Sequence, residues 1–413
     1  MWLVACGLWL SPGTISPMRT VQLTGLRTLE LRDVPAPAKP AAGEVLLRVD
    51  VVGVCGSDMH YYRTGRIGSQ VVQYPFTIGH ECACTVLEVG PADAKHTDVK
   101  HADAVLSPGD RVAVDPLIAC GQCDQCLAGR EHTCRNQRFL GCPGQVPGAL
   151  SELLVMPARC CIKVPSGMTQ VQATLTEPFA IGLYAYRLSR LADITSQVDI
   201  TALANNTAHA GKTLHTENLA HAGNAHGTLS VGVGAPALIL GAGPIGLSVL
   251  SAIKAQDPRR PVYMTDIRPY RLEVARAMGA DWTGDPRKID LITELREQVP
   301  LGFAAAFECA GEQETVDQAM LLLAPGGQLM LVGIPEADRI YVTPDIMRRK
   351  EIAIQNVRRQ NNCTADAVAM VASRQVNLDP MVTHQFALSD TKAAFDTVAD
   401  YTDGVVKAMI FME

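Results

Sequence analysis

Four cysteines crowd into CGQCDQCLAGREHTC, at Cys120, Cys123, Cys126 and Cys134. The pattern Cys-x2-Cys-x2-Cys-x7-Cys can wrap four thiolates tetrahedrally around one Zn2+. An all-sulfur shell leaves no open position for chemistry, so a site of this kind is structural. Metal binding of this sort is worth on the order of 10 kcal/mol, enough to hold a loop that buries little apolar surface. The chain has 13 cysteines, an odd number in a chain too long to need disulfide staples. Clustered thiols therefore point to metal in a reducing compartment, and the cytoplasm is the expected location.

A second motif points to a nucleotide. GAGPIG places Gly241, Gly243 and Gly246 in a G-x-G-x-x-G turn, with Pro244 and Ile245 inside it. It follows the apolar run ALIL and opens an amphipathic stretch, the context in which such a turn binds a pyrophosphate. The first glycine permits the turn, the second lets backbone approach the phosphates, and the third lets helix pack on strand. Asp266 stands 20 residues beyond Gly246, where an acidic residue accepts hydrogen bonds from the adenosine ribose. That carboxylate favours NAD over NADP, although the Arg268 guanidinium can host a 2′-phosphate. Arg271 is counted with these cofactor contacts.

A third constellation is scattered over GVCGSDMHYY (Cys55), GHE (His80 and Glu81) and TEPFAIGLYAYR (Glu177). One thiolate, one imidazole and carboxylates make a mixed donor set suited to zinc with an exchangeable water. Nothing in the sequence by itself joins three pieces so far apart, and His80 alone reads as a hydrogen-bonded histidine.

The elements that must hold these residues come in two textures. From Met18 to about Pro165, short β-rich runs separated by Gly and Pro predict a mostly antiparallel β domain. From about Ala235, apolar strands alternate with amphipathic helices, which predicts a parallel doubly wound sheet. After Gln355 a helical stretch, TADAVAMVASRQ, precedes further β-like residues. Between them, about Asp193 to Gly232 is rich in Ala, Asn, Thr, Gly and His and reads as an inserted surface loop. Its His209, His215, His221 and His226 lack the cysteines or helical spacing of a metal site and read as solvated.

Bulk properties narrow the function. With 36 Lys+Arg against 42 Asp+Glu, the net charge of −6 argues against nucleic acid or an anionic membrane as main partner. No apolar run reaches the roughly 18 residues needed to cross a bilayer. The opening MWLVACGLWLSPGTISP has no Lys or Arg before Arg19, unlike a secretory signal, and is read as an upstream start or disordered extension, with a real address or anchor as the alternative.

Together with GVCGSDMHYYRTGRIG, PFTIGHE, Glu177–Pro178 and VTHQFALSDTKAAFD, these motifs make the chain similar to the zinc-dependent medium-chain dehydrogenases. Within them it resembles the sorbitol (polyol) dehydrogenase group, from about Met18 to Glu413. The resemblance implies an α/β fold. A GroES-like β domain with the four-cysteine lobe would span residues 18–186, and a doubly wound parallel (Rossmann) NAD-binding domain residues 187–355. The insertion, about 193–232, would interrupt the second, and residues 356–413 would return to the first, leaving a cleft between the two.

Cys55, His80 and Glu81 match the family's catalytic zinc ligands, with water or substrate oxygen in the fourth position. Glu177 matches a carboxylate that binds that water or, in some members, the metal; simple alcohol dehydrogenases have a Cys there. Ser57 and His60 match positions that relay the alcohol proton. Tyr61 and Arg359 match polyol contacts, although Gln360 replaces a usual Tyr and Arg358 an aromatic residue. The implied reaction is reversible oxidation of a secondary alcohol to a ketone by hydride transfer to NAD+. Its substrate would be a polyol of the sorbitol, xylitol or arabinitol type, or a sugar acid. A homotetramer or homodimer is implied as well.

Two departures are a longer loop at Pro91–Ser107 and the large insertion. The latter precedes the first Rossmann strand, so it is expected at the end of the sheet opposite the cofactor and dispensable for catalysis. Competing readings are an L-threonine 3-dehydrogenase or other zinc alcohol dehydrogenase, and a catalytically silent structural or regulatory protein on the same scaffold. A zinc-free quinone reductase would lack both the thiolate lobe and the Cys55–His80–Glu81 set.

Overall fold

Strand Glu44–Gly53 alternates apolar residues that are buried with polar ones that are not, and it becomes the centre of a seven-stranded sheet. In the computed structural model, which describes residues 17–92, 105–192 and 234–412, it pairs antiparallel with Glu81–Val89, Leu153–Pro157 and Lys407–Phe411. Arg111–Val114 and Cys161–Lys163 extend one side of the sheet, and Val382–Ala387 closes the other by pairing with Lys407–Phe411. The end of the chain is thus built into the sheet begun at its start. The N-terminal extension, most of the Pro91–Ser107 loop and the insertion with its four histidines lie outside the described residues. Among the described residues, no helix is long and apolar enough to cross a membrane.

The second sheet is wholly parallel. Its strands run in the order Trp282–Gly284, Val262–Thr265, Ala237–Leu240, Phe303–Glu308, Leu323–Leu331, Ala353–Asn356. Numbered along the chain, that order is 3-2-1-4-5-6, the arrangement of a dinucleotide-binding fold. Ala237–Leu240 is buried at every position because helices cover both faces. Helix Pro244–Gln256 and helix Pro269–Ala277 share one core with the long helix Gln170–Leu188. Helices Leu291–Gln298 and Gln313–Leu322 share the core on the other face.

Helix Gln170–Leu188 ties the two sheets together. It opens on a capping box, in which Thr169 Oγ1 accepts from Gln172 N at 3.1 Å and Gln172 Oε1 accepts from Thr169 N at 3.1 Å. Thirteen of its 19 residues are buried. Where it crosses helix Pro244–Gln256, Gly182 lies so close to Ser248 that a Cβ there would overlap the Ser248 backbone. A side chain would push the helices apart, and over-packing of a filled core costs about 1–3 kcal/mol. Gly182→Val is therefore expected to lower the thermal midpoint by several degrees in a differential scanning calorimetry comparison with the parent.

Candidate functional site

Three donors of the mixed set, Cys55, His80 and Glu81, sit at the ends of elements. Cys55 follows strand Glu44–Gly53 and caps the N-terminus of helix Gly56–Thr64, and Glu81 opens strand Glu81–Val89 with His80 just before it. Register pairs Gly53 with Glu81, which closes the gap between segments that are distant in sequence. One ligand atom each from Cys55, His80 and Glu81 lies within 4.8 Å of the others. Burial pushes the Cys55 thiol up, and Glu81 adds to the push; a divalent cation reverses both by pairing with the thiolate. Thiolate, imidazole and carboxylate converging in a buried pocket fit Zn2+. Glu177 stands outside that close set. It is buried within the long helix, its Oε2 makes no hydrogen bond among the described residues, and burial raises its carboxyl to about 8.

Three residues of this pocket were not read from the sequence. Asp58 is wholly buried; its Oδ1 lies 3.5 Å from His80 Nδ1 and its Oδ2 accepts from Cys55 N at 3.2 Å. It fixes the imidazole's orientation from behind, as outer partners of metal-binding histidines do. Its place three residues after Cys55, in CGSD, was the available signal. Lys407 reaches Glu81 Oε2 with its ammonium and donates to Val54 O at 3.0 Å, both charged side chains being 1% exposed. Phe139 lies between His80, ring centroids 5.4 Å apart, and Arg359, whose guanidinium sits 3.6 Å over its face.

The other expected positions gather around this core. Ser57 Oγ donates to Cys55 Sγ at 3.3 Å and lies 3.5 Å from His80 Nε2. His60 is on the same helix three residues later, hence on the same face. It is half-buried near the Ile334 carbonyl and Glu336, and burial lowers its pKa. Tyr61 is buried, with its hydroxyl 3.4 Å from Gln70 Oε1 and 3.9 Å from Cys142 Sγ. Among the described residues Arg359 hydrogen-bonds only weakly, to Gln137 Oε1 at 3.4 Å. Burial, with Arg358 next, lowers its pKa to about 10. Gln360 faces inward: its Nε2 donates to Asp115 Oδ2 at 2.7 Å and its Oε1 accepts from Cys363 N at 2.7 Å. Arg358 Nε donates to His132 O at 3.1 Å. Both of these replaced positions therefore serve the scaffold.

The four cysteines of the lobe also converge, all within 4.8 Å, with sulfur separations such as 3.6 Å for Cys123–Cys126 and 3.9 Å for Cys123–Cys134. Four sulfurs at about 2.3 Å from one tetrahedral Zn2+ stand about 3.8 Å apart, so the arrangement fits the ion. Backbone N–H groups of Arg135 and Cys126 pull the Cys123 thiol down to about 6, while burial and the neighbouring Cys123 push Cys126 up to about 12. Such a set becomes four thiolates only around a cation.

Across the cleft lies the glycine turn. Gly241 adopts φ 102°, and a Cβ at Gly246 would overlap the Gly241 carbonyl. Among the described residues, only Arg271 Nη1, at 3.6 Å, comes within 4 Å of where a Cβ on Gly243 would be. Pro244 and Ile245 form the first turn of the helix whose N–H groups point into that space. Asp266 follows strand Val262–Thr265; Ala242 N donates to its Oδ2 and Arg268 N to its Oδ1, each at 2.8 Å, and Arg271 Nη1 is 3.7 Å from Oδ2. The open cradle fits a dinucleotide.

A mostly antiparallel β domain bearing two zinc-competent clusters and a Rossmann sheet facing it across a cleft define a metal- and nucleotide-dependent oxidoreductase. Comparison with known proteins agrees. Residues 41–166 match the alcohol dehydrogenase GroES-like domain and residues 244–373 the zinc-binding dehydrogenase family. The chain is 29% identical over 395 residues to sorbitol dehydrogenase of Bacillus subtilis, covering 95% of this chain and 97% of that one. It is 31% identical over 373 residues to human sorbitol dehydrogenase, with 89% of each covered. To L-idonate 5-dehydrogenase of Vitis vinifera it is 28% identical over 385 residues, covering 91% and 90%. Among solved structures, an Escherichia coli oxidoreductase/dehydrogenase of unknown specificity superposes with TM-score 0.79 at 28% identity, covering 96% and 99%. A zinc-binding dehydrogenase from Sinorhizobium meliloti bound to NADP superposes with TM-score 0.76 at 25% identity, with the same coverage. The chain belongs to the zinc-dependent medium-chain dehydrogenases, in the sorbitol dehydrogenase group. It is an alcohol or polyol dehydrogenase that uses zinc and a nicotinamide dinucleotide.

The Glu81–Lys407 pair yields a stability prediction. Removing one partner of a buried ion pair leaves a charge without compensation and costs about 3–5 kcal/mol. Lys407→Met should lose that much in urea unfolding, and Lys407→Arg, which keeps the charge, should lose less; a midpoint unchanged in the Met variant would contradict the pairing.

Proposed function

We propose that the enzyme oxidises a secondary alcohol of a polyol or sugar acid to the ketone, reversibly, with NAD+ as the preferred acceptor. The observation that carries this reading is the group of polar side chains (Ser57, Glu177 and the Arg359 guanidinium) around the Cys55–His80–Glu81 set. A simple apolar alcohol would leave these donors and acceptors unmatched, whereas a chain of hydroxyls answers them. When bound, zinc at Cys55, His80 and Glu81 supplies a Lewis acid for the substrate hydroxyl, and nicotinamide supplies the hydride acceptor.

The chain's own side chains do the rest. Ser57 Oγ, beside His80, accepts the hydroxyl proton and passes it towards His60 at the cleft mouth. Glu177, buried and without a partner at Oε2, holds a water or substrate hydroxyl at the floor of the pocket. Arg359, fixed on the Phe139 face, donates to a hydroxyl further along the substrate or to a carboxylate of a sugar acid. Asp266 supports the NAD preference by accepting from the adenosine ribose and repelling a 2′-phosphate. The four-thiolate lobe holds structure and takes no part in turnover.

The test is a panel of sorbitol, xylitol, arabinitol, L-idonate and L-threonine with NAD+ and NADP+, followed by absorbance of the reduced nicotinamide. Turnover of polyols or the sugar acid is expected; turnover of L-threonine alone would select the amino-acid dehydrogenase reading instead. Arg359→Ala should lower kcat/KM on the best polyol by about 10- to 100-fold, the loss of a hydrogen bond from a charged donor. Cys55→Ala should abolish turnover while circular dichroism and the melting midpoint hold, whereas Cys123→Ala should mainly destabilise. Equal loss of structure in both variants would contradict the division into catalytic and structural clusters.

A further inference from the structure

Tyr401 lies in the left-handed region, φ 54°, just past helix Thr391–Asp400 on the C-terminal segment that completes the first sheet. Three guanidiniums surround its ring: Arg268 at 4.7 Å from the centroid, Arg271 at 5.1 Å and Arg63 at 5.3 Å. Arg268 and Arg271 belong to the Rossmann side, whereas Arg63 comes from helix Gly56–Thr64 across the cleft. Three like charges around one ring repel each other, and the compensation at hand is incomplete. Arg63 Nη1 has Glu336 Oε1 at 3.7 Å and Arg271 Nη1 has Asp266 Oδ2 at 3.7 Å. Asp266 already accepts two backbone N–H groups. Among the described residues the Arg268 guanidinium has no carboxylate within ion-pair distance, and Arg271 Nε is buried with no hydrogen-bond partner. The cluster carries surplus positive charge, and one of its members, Arg271, overhangs the open face of Gly243. An anion at that face would satisfy it.

We propose that Tyr401 is a positioning residue for the dinucleotide: by cation–π contact its ring holds Arg268 and Arg271 at the glycine turn, where they meet the diphosphate. This rests on the dinucleotide-binding reading of the Gly241–Gly246 turn. The ring face does the holding, because the Tyr401 hydroxyl makes no hydrogen bond among the described residues. A phenylalanine should therefore serve and an aliphatic residue should not. The diphosphate is common to NAD and NADP, so the contribution of Tyr401 should be the same for both.

The experiment is fluorescence titration of the zinc-loaded enzyme with NADH and, separately, with NADPH, in the parent and in Tyr401→Leu, Tyr401→Phe and Arg268→Gln. Tyr401→Leu should raise the Kd for both nucleotides by about three- to tenfold, and Tyr401→Phe by less than about twofold. The KM for NAD+ should rise with the Kd while kcat changes little, and Arg268→Gln should weaken binding in the same direction. Leucine and tyrosine meet a similar penalty in the left-handed conformation, so a melting midpoint near the parent's is expected. Should Tyr401→Leu nevertheless unfold, Arg268→Gln decides. Parental affinity in Tyr401→Leu, or in Arg268→Gln, would overturn the assignment. So would weakening confined to NADPH, which would place the cluster on a 2′-phosphate. A parent enzyme that binds neither nucleotide would instead sink the dinucleotide reading itself.

Discussion

Within the first sheet, a lysine on the C-terminal strand Lys407–Phe411 neutralises a glutamate that opens a strand more than 300 residues earlier. Bringing a carboxylate, a thiol and an imidazole together out of water is unfavourable unless positive charge arrives with them. Glu81 therefore belongs at this place only because Lys407–Phe411 has already joined Glu44–Gly53 and delivered its ammonium. Gly53 makes the meeting possible, since a Cβ there would fall on Glu81 Oε2 and against the Lys407 stem. Closure of the sheet by the C-terminal segment and assembly of the donor set are one event. A chain that lost its last strand would lose the pocket's electrostatic balance as well as part of its core.

The same economy governs the cleft. Glu177 and Gly182 lie on one helix, five residues and so about 7.5 Å apart along its axis. One meets the donor set and the other presses on the helix that begins at the glycine turn. Hydride transfer needs the reacting carbons held within van der Waals reach. The long helix is the rigid member that relates the metal side to the nucleotide side, and its thirteen buried residues resist displacement in any direction.

Much of the second sheet was legible because its signals are local. ALIL, the glycine turn and Asp266 follow one another within about thirty residues and carry their own spacing rule. Helix Gln170–Leu188 was not recognised as a helix: apolar residues surround it on nearly every side, so no amphipathic stripe exists, and Pro178 stands inside it. Strand Trp282–Gly284 is three residues long, and Leu323–Leu331 runs through Pro325, Gly326 and Gly327, residues that normally end strands. The resemblance supplied Cys55, His80 and Glu81, which no periodicity joins. Lys407 escaped because a lone lysine in a β-like run reads as solvent-facing. Only the register of strands far apart in the chain reveals it as core.

The four-cysteine lobe is tied to the loop that carries Arg359, although it lies outside the Cys55–His80–Glu81 set. Its polypeptide holds the loop that carries Arg359: Gly129 O accepts from Asn361 Nδ2 at 2.8 Å and His132 O accepts from Arg358 Nε at 3.1 Å. Gln137, just after Cys134, offers its Oε1 to Arg359 itself. His132 is in turn anchored to the long helix through Tyr184 OH at 3.1 Å. The lobe has little core of its own, with Leu127 largely exposed, so its shape depends on what the four sulfurs bind. A metal held by those four sulfurs would thereby fix the position of the guanidinium proposed to read the substrate. The departures at Arg358 and Gln360 follow from this arrangement, because one ties the loop to the lobe and the other ties it to Asp115 beneath. Arg359 alone of the three is left over the aromatic face of Phe139, facing the pocket.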